Sequence, residues 1–202
     1  MLIKEAIMVI AATAGKLHWN YFLALERDLE AVSRYIEFSP PNFQVYSIEL
    51  AHLLFAAASE VDVVAKLLCE RVVPAAPRRN IDEYKAVLLP AFPDLPATQV
   101  FVPRYGLSFA PWSNWVGAPN PDWWRSYNHV KHERDTYFNE ATLKNALNAL
   151  GALLIFTYHF YARTLAVPPA EILSPKDTTR ELKPESTLIR LGDDFYYDTL
   201  IV

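Results

Sequence analysis

Arg125, Asn128, His129 and His132 lie in the segment Trp123-Trp124-Arg125-Ser126-Tyr127-Asn128-His129-Val130-Lys131-His132-Glu133-Arg134, at spacings that chemistry can use. Residues seven apart differ by only about 20° of rotation on a helix of 3.6 residues per turn, so Arg125 and His132 share a face. Asn128 and His129 fall between them at i+3 and i+4, and Asp135 follows one turn further on. Such a strip suits a phosphodiester. A guanidinium grips two phosphate oxygens in a fork, and a histidine moves the proton of a ribose 2′-hydroxyl or of the leaving oxygen. That reaction needs no metal. The same residues admit a plainer reading, in which Trp123, Trp124 and Tyr127 pack into a core, the charges are solvated and His132 bonds a carboxylate.

Other polar residues compete for attention. Glu49-x-x-His52 is one half of the carboxylate-bridged di-iron signature of four-helix bundles, but no second Glu-x-x-His occurs, so no metal site is expected and His52 reads as a hydrogen-bonded core histidine. Glu60 and Asp62 are within plausible reach of a basic residue on the Trp123 helix, and a pairing with Arg125 or Lys131 would be a structural tie. Asn145 and Asn148 read as amides bonded across the core. Nothing beside Cys69 in the sequence would lower its pKa, so it reads as an inert buried thiol.

The elements that must position these residues are mainly helical. A first helix is expected from about 17 to 36, with Tyr21, Leu25, Leu29, Val32 and Ile36 at helical spacing and Ser39-Pro40-Pro41 as the stop. A second runs from about 45 to 73, with Ile48, His52, Phe55, Ser59, Asp62, Ala65, Lys66 and Cys69 on related turns and Pro74 closing it. These two should form an antiparallel hairpin. The third is expected from Asp122, as N-cap, to about Phe138, and the fourth from 139–142 to about 165.

Residues 74–121 carry most of the fifteen prolines, with a short helix over 81–89. The segment is too aromatic for a flexible linker, since Phe101, Tyr105, Phe109, Trp112 and Trp115 would be costly to leave in water, and it reads as a cap over one end of the bundle. Beyond Ser174-Pro175, alternation in 187–191, the turn Gly192-Asp193-Asp194 and the run 195–201 predict a terminal β-hairpin over about 186–202, lying on the bundle or a partner subunit. The expected architecture is therefore a single domain over 1–202: a four- to five-helix up-down bundle with its core at about 17–165, an irregular insertion at 74–121 and the hairpin.

Composition narrows the function classes. The net charge of -4 argues against duplex DNA held on a broad basic surface, because phosphate neutralisation needs many clustered cations. A single cysteine excludes an intrachain disulfide framework and a cysteine-based zinc site, and fits the cytoplasm. Residues 1–15 imitate a signal peptide with an Ala-x-Ala site, but the apolar run is short and Glu5 spoils its charged flank. The longest apolar stretch, 149–161, falls short of the ~20 residues that cross a bilayer and contains His159, so it reads as a buried bundle helix without membrane contact.

The order of elements, the Trp-Trp-Arg-x-x-Asn-x-x-Lys-His segment and the stretch Ala58-Ser59-Glu60-Val61-Asp62-Val63-Val64-Ala65-Lys66-Leu67-Leu68-Cys69 together resemble the HEPN superfamily over roughly residues 17–165. Its members are helical bundles, and many are metal-independent endoribonucleases of toxin-antitoxin, abortive-infection and phage-defence systems. Their shared motif is Arg, four to six residues, His, which Arg125 and His132 match at the longest spacing. The family usually places Asn, Asp or His directly after the arginine, where this chain has Ser126 and carries its amide at Asn128.

The resemblance implies a homodimer whose two motif helices face each other across a twofold axis. Arg125 would hold the scissile phosphate, His132 would act as general acid or base, Asn128 would orient one of them, and His129, Lys131 and Arg134 would bind RNA. It implies no cofactor, and as partners RNA and a cognate antitoxin or other protein. Family members without activity imply the alternative of a non-catalytic interaction or nucleotide-binding module.

Overall fold

The computed structural model describes residues 15–197, and within them the chain is mainly helical with one small antiparallel sheet. The signal-like stretch 1–14 and the end of the expected hairpin, 198–202, lie outside the described residues. Helix α1 spans Leu17–Val32 and α2 spans Ile48–Val72. His18, at the start of α1, bonds Glu60 of α2, while Leu25, Asp28 and Val32 lie beside Glu49, His52 and Leu53, so the two helices run antiparallel. Ser47 caps α2, its hydroxyl accepting from the Leu50 amide at 3.1 Å.

The long apolar helix is α6, Leu143–Thr164, and it packs most extensively against α2. Its entry is fixed by partners for the amides that a helix start leaves unpaired. Leu143 N donates to Val45 O at 2.9 Å, Lys144 N to Phe43 O at 3.1 Å and Asn145 N to the Thr142 hydroxyl at 3.2 Å. Fifteen residues of α6 are buried, among them 149–158 without a break, which accounts for the long apolar run in the sequence. No helix of the described residues is long and apolar enough to cross a membrane.

The proline-rich segment folds into helix α3, Ile81–Ala91, and strands β1, Val100–Val102, and β2, Leu107–Phe109. Rather than capping from outside, it enters the core. Trp112 and Trp115 are fully buried, and Trp112 stacks on Phe156 of α6 with ring centroids 4.3 Å apart. The sheet lies against α6 at Gly151, where a Cβ would meet the Phe109 ring at 2.8 Å and Val100 at 3.3 Å. Helix α4 spans Asp122–His132, α5 Arg134–Tyr137 and α7 Pro175–Glu181.

Three expectations are corrected. The expected third helix to Phe138 breaks at Glu133, whose φ of −138° and ψ of 53° leave the helical region after its amide closes on His129 O, so Asp135 no longer continues the strip. The C-terminal hairpin does not form among the described residues. Strand β3, Arg190–Leu191, pairs instead with β1 in the order β2-β1-β3, and 193–195 curl into a 3-10 turn closed by Phe195 N on Gly192 O.

The cause is Glu26, 3% exposed, whose carboxylate accepts from the amides of Thr187, Leu188 and Ile189 and from the Ser186 hydroxyl, pinning the approach to β3 onto α1. Lastly, α2 buries Leu50, Leu53, Leu54, Ala57, Ala58, Val61, Val64, Ala65, Leu68 and Cys69, so that of the expected stripe Ala65 and Cys69 lie in the core while Ile48 and His52 are exposed.

Candidate functional site

Helix α4 owes its fixed position to its apolar face. Trp123, Trp124, Tyr127 and Val130 are buried, and the Trp123 indole donates to Pro111 O at 2.9 Å while meeting Trp112 edge-on. That anchoring turns Arg125, His129, Lys131 and His132 to solvent. Burying the tryptophans therefore does not remove the strip from water. The plain reading and the chemical one describe opposite faces of one helix.

Arg125 and His132 share the exposed face as expected, but they do not meet within the chain. Seven residues at 1.5 Å rise separate their backbones by about 10 Å along the axis. The Arg125 guanidinium leans the other way, towards Asp122 Oδ1 at 2.5 Å. Asp122 is not the N-cap, since Pro121 takes that position, and its carboxylate is left for this pair. Both partners are 58% exposed, and an ion pair so solvated contributes about 0–1 kcal/mol, too little to hold the guanidinium from a phosphate.

Asn128 sits between them, half-buried, its amide donating to Trp124 O at 2.9 Å. His132 has no hydrogen bond or ion pair among the described residues. On α4 the histidine that bonds a carboxylate is instead His129, with Nδ1 3.0 Å from Glu140 Oε2 and its ring 4.7 Å from that of Tyr137. The Lys131 ammonium lies 5.3 Å from the Tyr127 ring centre and the Arg134 guanidinium 5.0 Å from that of Phe55. Basic groups and aromatic rings thus alternate along α4, α5 and the adjoining face of α2.

Glu60 and Asp62 tie elements together, but not to α4. Glu60 Oε1 lies 2.6 Å from His18 Nδ1, and Asp62 takes Lys66 and, at 2.6 Å, the Tyr84 hydroxyl. Burial and that bond raise the Tyr84 pKa. The pairing with Arg125 or Lys131 fails because nearer partners on α1 and α3 claim both carboxylates.

Asn145 and Asn148 bond local carbonyls, Glu140 O and Lys144 O, rather than crossing the core. His52 faces solvent 3.9 Å from Glu49, and no group of three metal-ligating side chains occurs among the described residues. Cys69 is buried, and burial pushes its thiol up to about 11, which keeps it protonated and unreactive.

Two polar residues of note gave no local sequence signal. Glu26 finds its partners 160 or more positions away. His159 faces a concavity beside Phe92, where burial and the neighbouring Arg163 push its pKa down to about 3. A histidine and a glutamate interrupting helical apolar faces were the only marks either left. Comparison of the chain with protein-family models, with curated proteins and with solved structures returned no match.

Proposed function

We propose that the chain is a HEPN-like up-down helical bundle that acts on RNA as a metal-independent endoribonuclease through Arg125 and His132. The observation that carries this is the exposure of both residues on one face of a helix whose opposite face is locked in the core, with His132 unpaired among the described residues. A charge-assisted fork from Arg125 would hold the phosphate, and His132 would transfer a proton at the 2′-hydroxyl or the leaving oxygen. Asn128, whose amide donates to Trp124 O, would orient one of these two residues. Lys131 and Arg134 would lead the strand in.

The separation along α4 gives this reading its form. With the guanidinium directed away from its own His132, one chain does not bring both groups to one phosphate. Two copies with antiparallel α4 helices set the Arg125 of each opposite the His132 of the other, across a twofold axis. The site is then composite and the homodimer is the catalytic unit. Cytoplasmic action within a toxin-antitoxin or phage-defence pair, with an antitoxin covering the strip, belongs to the same proposal.

A second reading, a non-catalytic interaction module, is favoured by Asp122 and Glu140, which already serve as partners of Arg125 and His129 within the chain. Incubation of the purified chain with total RNA in EDTA, beside Arg125→Ala and His132→Ala, separates the two. The nuclease reading requires cleavage by the wild type and its loss in both variants. RNA binding without cleavage, or equal cleavage by all three proteins, leaves the module.

A further inference from the structure

A concavity of about 630 Å³ lies where α6, the 92–99 segment and the C-terminal segment meet. That volume is in the range of small-molecule sites. No residue of α4 lines it. Phe92, Phe101 and Phe195 supply aromatic walls, Asp94 and Asp194 are exposed carboxylates at its edge, and His159 is its one imidazole. The His159 ring lies 4.2 Å from that of Phe92 and makes an edge contact with Tyr158. Neither ring nitrogen has a hydrogen-bond partner among the described residues. An imidazole in such surroundings offers one N–H and one acceptor nitrogen to whatever enters.

Charge selects what can enter. The Arg163 guanidinium sits over the Phe92 ring at 4.5 Å, and with the apolar walls it makes a cation beside His159 unfavourable. Asp94 and Asp194 have no ion pair among the described residues, so an anion at the mouth is repelled. A planar uncharged ring satisfies both limits and gains area against the phenyl faces. Ring or exocyclic N–H groups would be taken up by the carboxylates and by the free nitrogen of the imidazole.

We propose that this cavity binds an uncharged planar nitrogen heterocycle, its face against Phe92, Phe101 and Phe195 and its N–H edge bonded to His159, Asp94 and Asp194. The ligand is a free heterocycle or its uncharged glycoside, because a phosphate would be carried into the two carboxylates.

The test is titration of adenine, and separately of 5′-AMP, into the full chain with the histidine ring resonances followed by NMR. A saturable shift of the His159 signal with a Kd of about 1 mM or tighter is expected for adenine. Binding of 5′-AMP should be weaker by about tenfold or more. His159→Gln, verified as folded by circular dichroism, should lower adenine affinity by about tenfold, and Asp194→Asn, an exposed change, by several-fold. No saturable shift, equal affinity for 5′-AMP, or unchanged affinity in both variants overturns the proposal. None of these outcomes bears on Arg125 or His132, so this site and the RNA strip fail or stand separately.

Discussion

Glu26 shows how much one side chain organises. It gathers three backbone amides and a hydroxyl of residues 186–189 onto α1 from a buried position. Each buried donor left without a partner costs about 1–3 kcal/mol. Glu26→Ala should therefore lower unfolding free energy in urea by about 3 kcal/mol or more, and expose 184–190 to limited proteolysis. An unchanged midpoint and proteolytic pattern would mean the segment is held by its apolar contacts alone.

His159 gives the residue scale its pH dependence. Its folded pKa, near 3, lies below the unfolded value of about 6.5, so the unfolded chain binds the proton more readily. Its contribution to stability is complete above about pH 6.5 and is lost as pH falls towards 3, by at most about 1.4 kcal/mol per pH unit. His159→Gln should flatten the acid side of the stability profile in that window. Chemical denaturation of both proteins at several pH values measures the difference, and parallel profiles would refute the shift.

At the scale of elements, Gly151 decides how closely the sheet approaches α6. A side chain there meets Phe109 and Val100 at once. Gly151→Leu should cost about 1–3 kcal/mol by overpacking, despite glycine's poor helix propensity. A stabilised variant in urea unfolding would show that β1 and β2 yield freely.

Elements set by local periodicity were legible from the sequence. Helices α2 and α6 begin at their capping side chains, Ser47 and Thr142, and end within a few residues of a proline, because those signals lie close to the boundary they mark. Helix α1, by contrast, ends at Val32, short of the expected Ile36 and of the Ser39-Pro40-Pro41 stop. What depends on distant partners was not. Strand β3 looks like half of a hairpin until Glu26 and β1 claim it. The break at Glu133 carries no glycine or proline to announce it. On α2 the apolar residues are dense enough for two competing stripes, and the core takes the one that leaves Ile48 and His52 in solvent. The α4 strip was legible because helical rotation alone puts Arg125 and His132 on one face, whereas the lean of Arg125 towards Asp122 follows from the helix starting at Asp122, with Pro121 and not Asp122 at the N-cap.

For the whole molecule, the composite reading makes assembly a condition of chemistry. Light scattering should find a dimer of the 23.0 kDa chain at the concentrations where RNA is cut. A strict monomer that still cleaves RNA would remove the twofold site. Binding of single-stranded RNA should weaken with salt at a log–log slope of about −2, as about 0.7 per phosphate gives for contacts from Arg125, Lys131 and Arg134. A slope near zero would remove those three cations from the interface.

The most direct test uses two inactive chains. Arg125→Ala and His132→Ala are coexpressed with different tags, the mixed dimer population is purified, and RNA cleavage is followed in EDTA. If the arginine of one copy works with the histidine of the other, each variant alone is inactive and the purified mixed dimer recovers about half of wild-type activity, since each mixed dimer carries one complete site of the two. A mixture as inactive as its components, with mixed dimers shown to be present, would contradict the composite site.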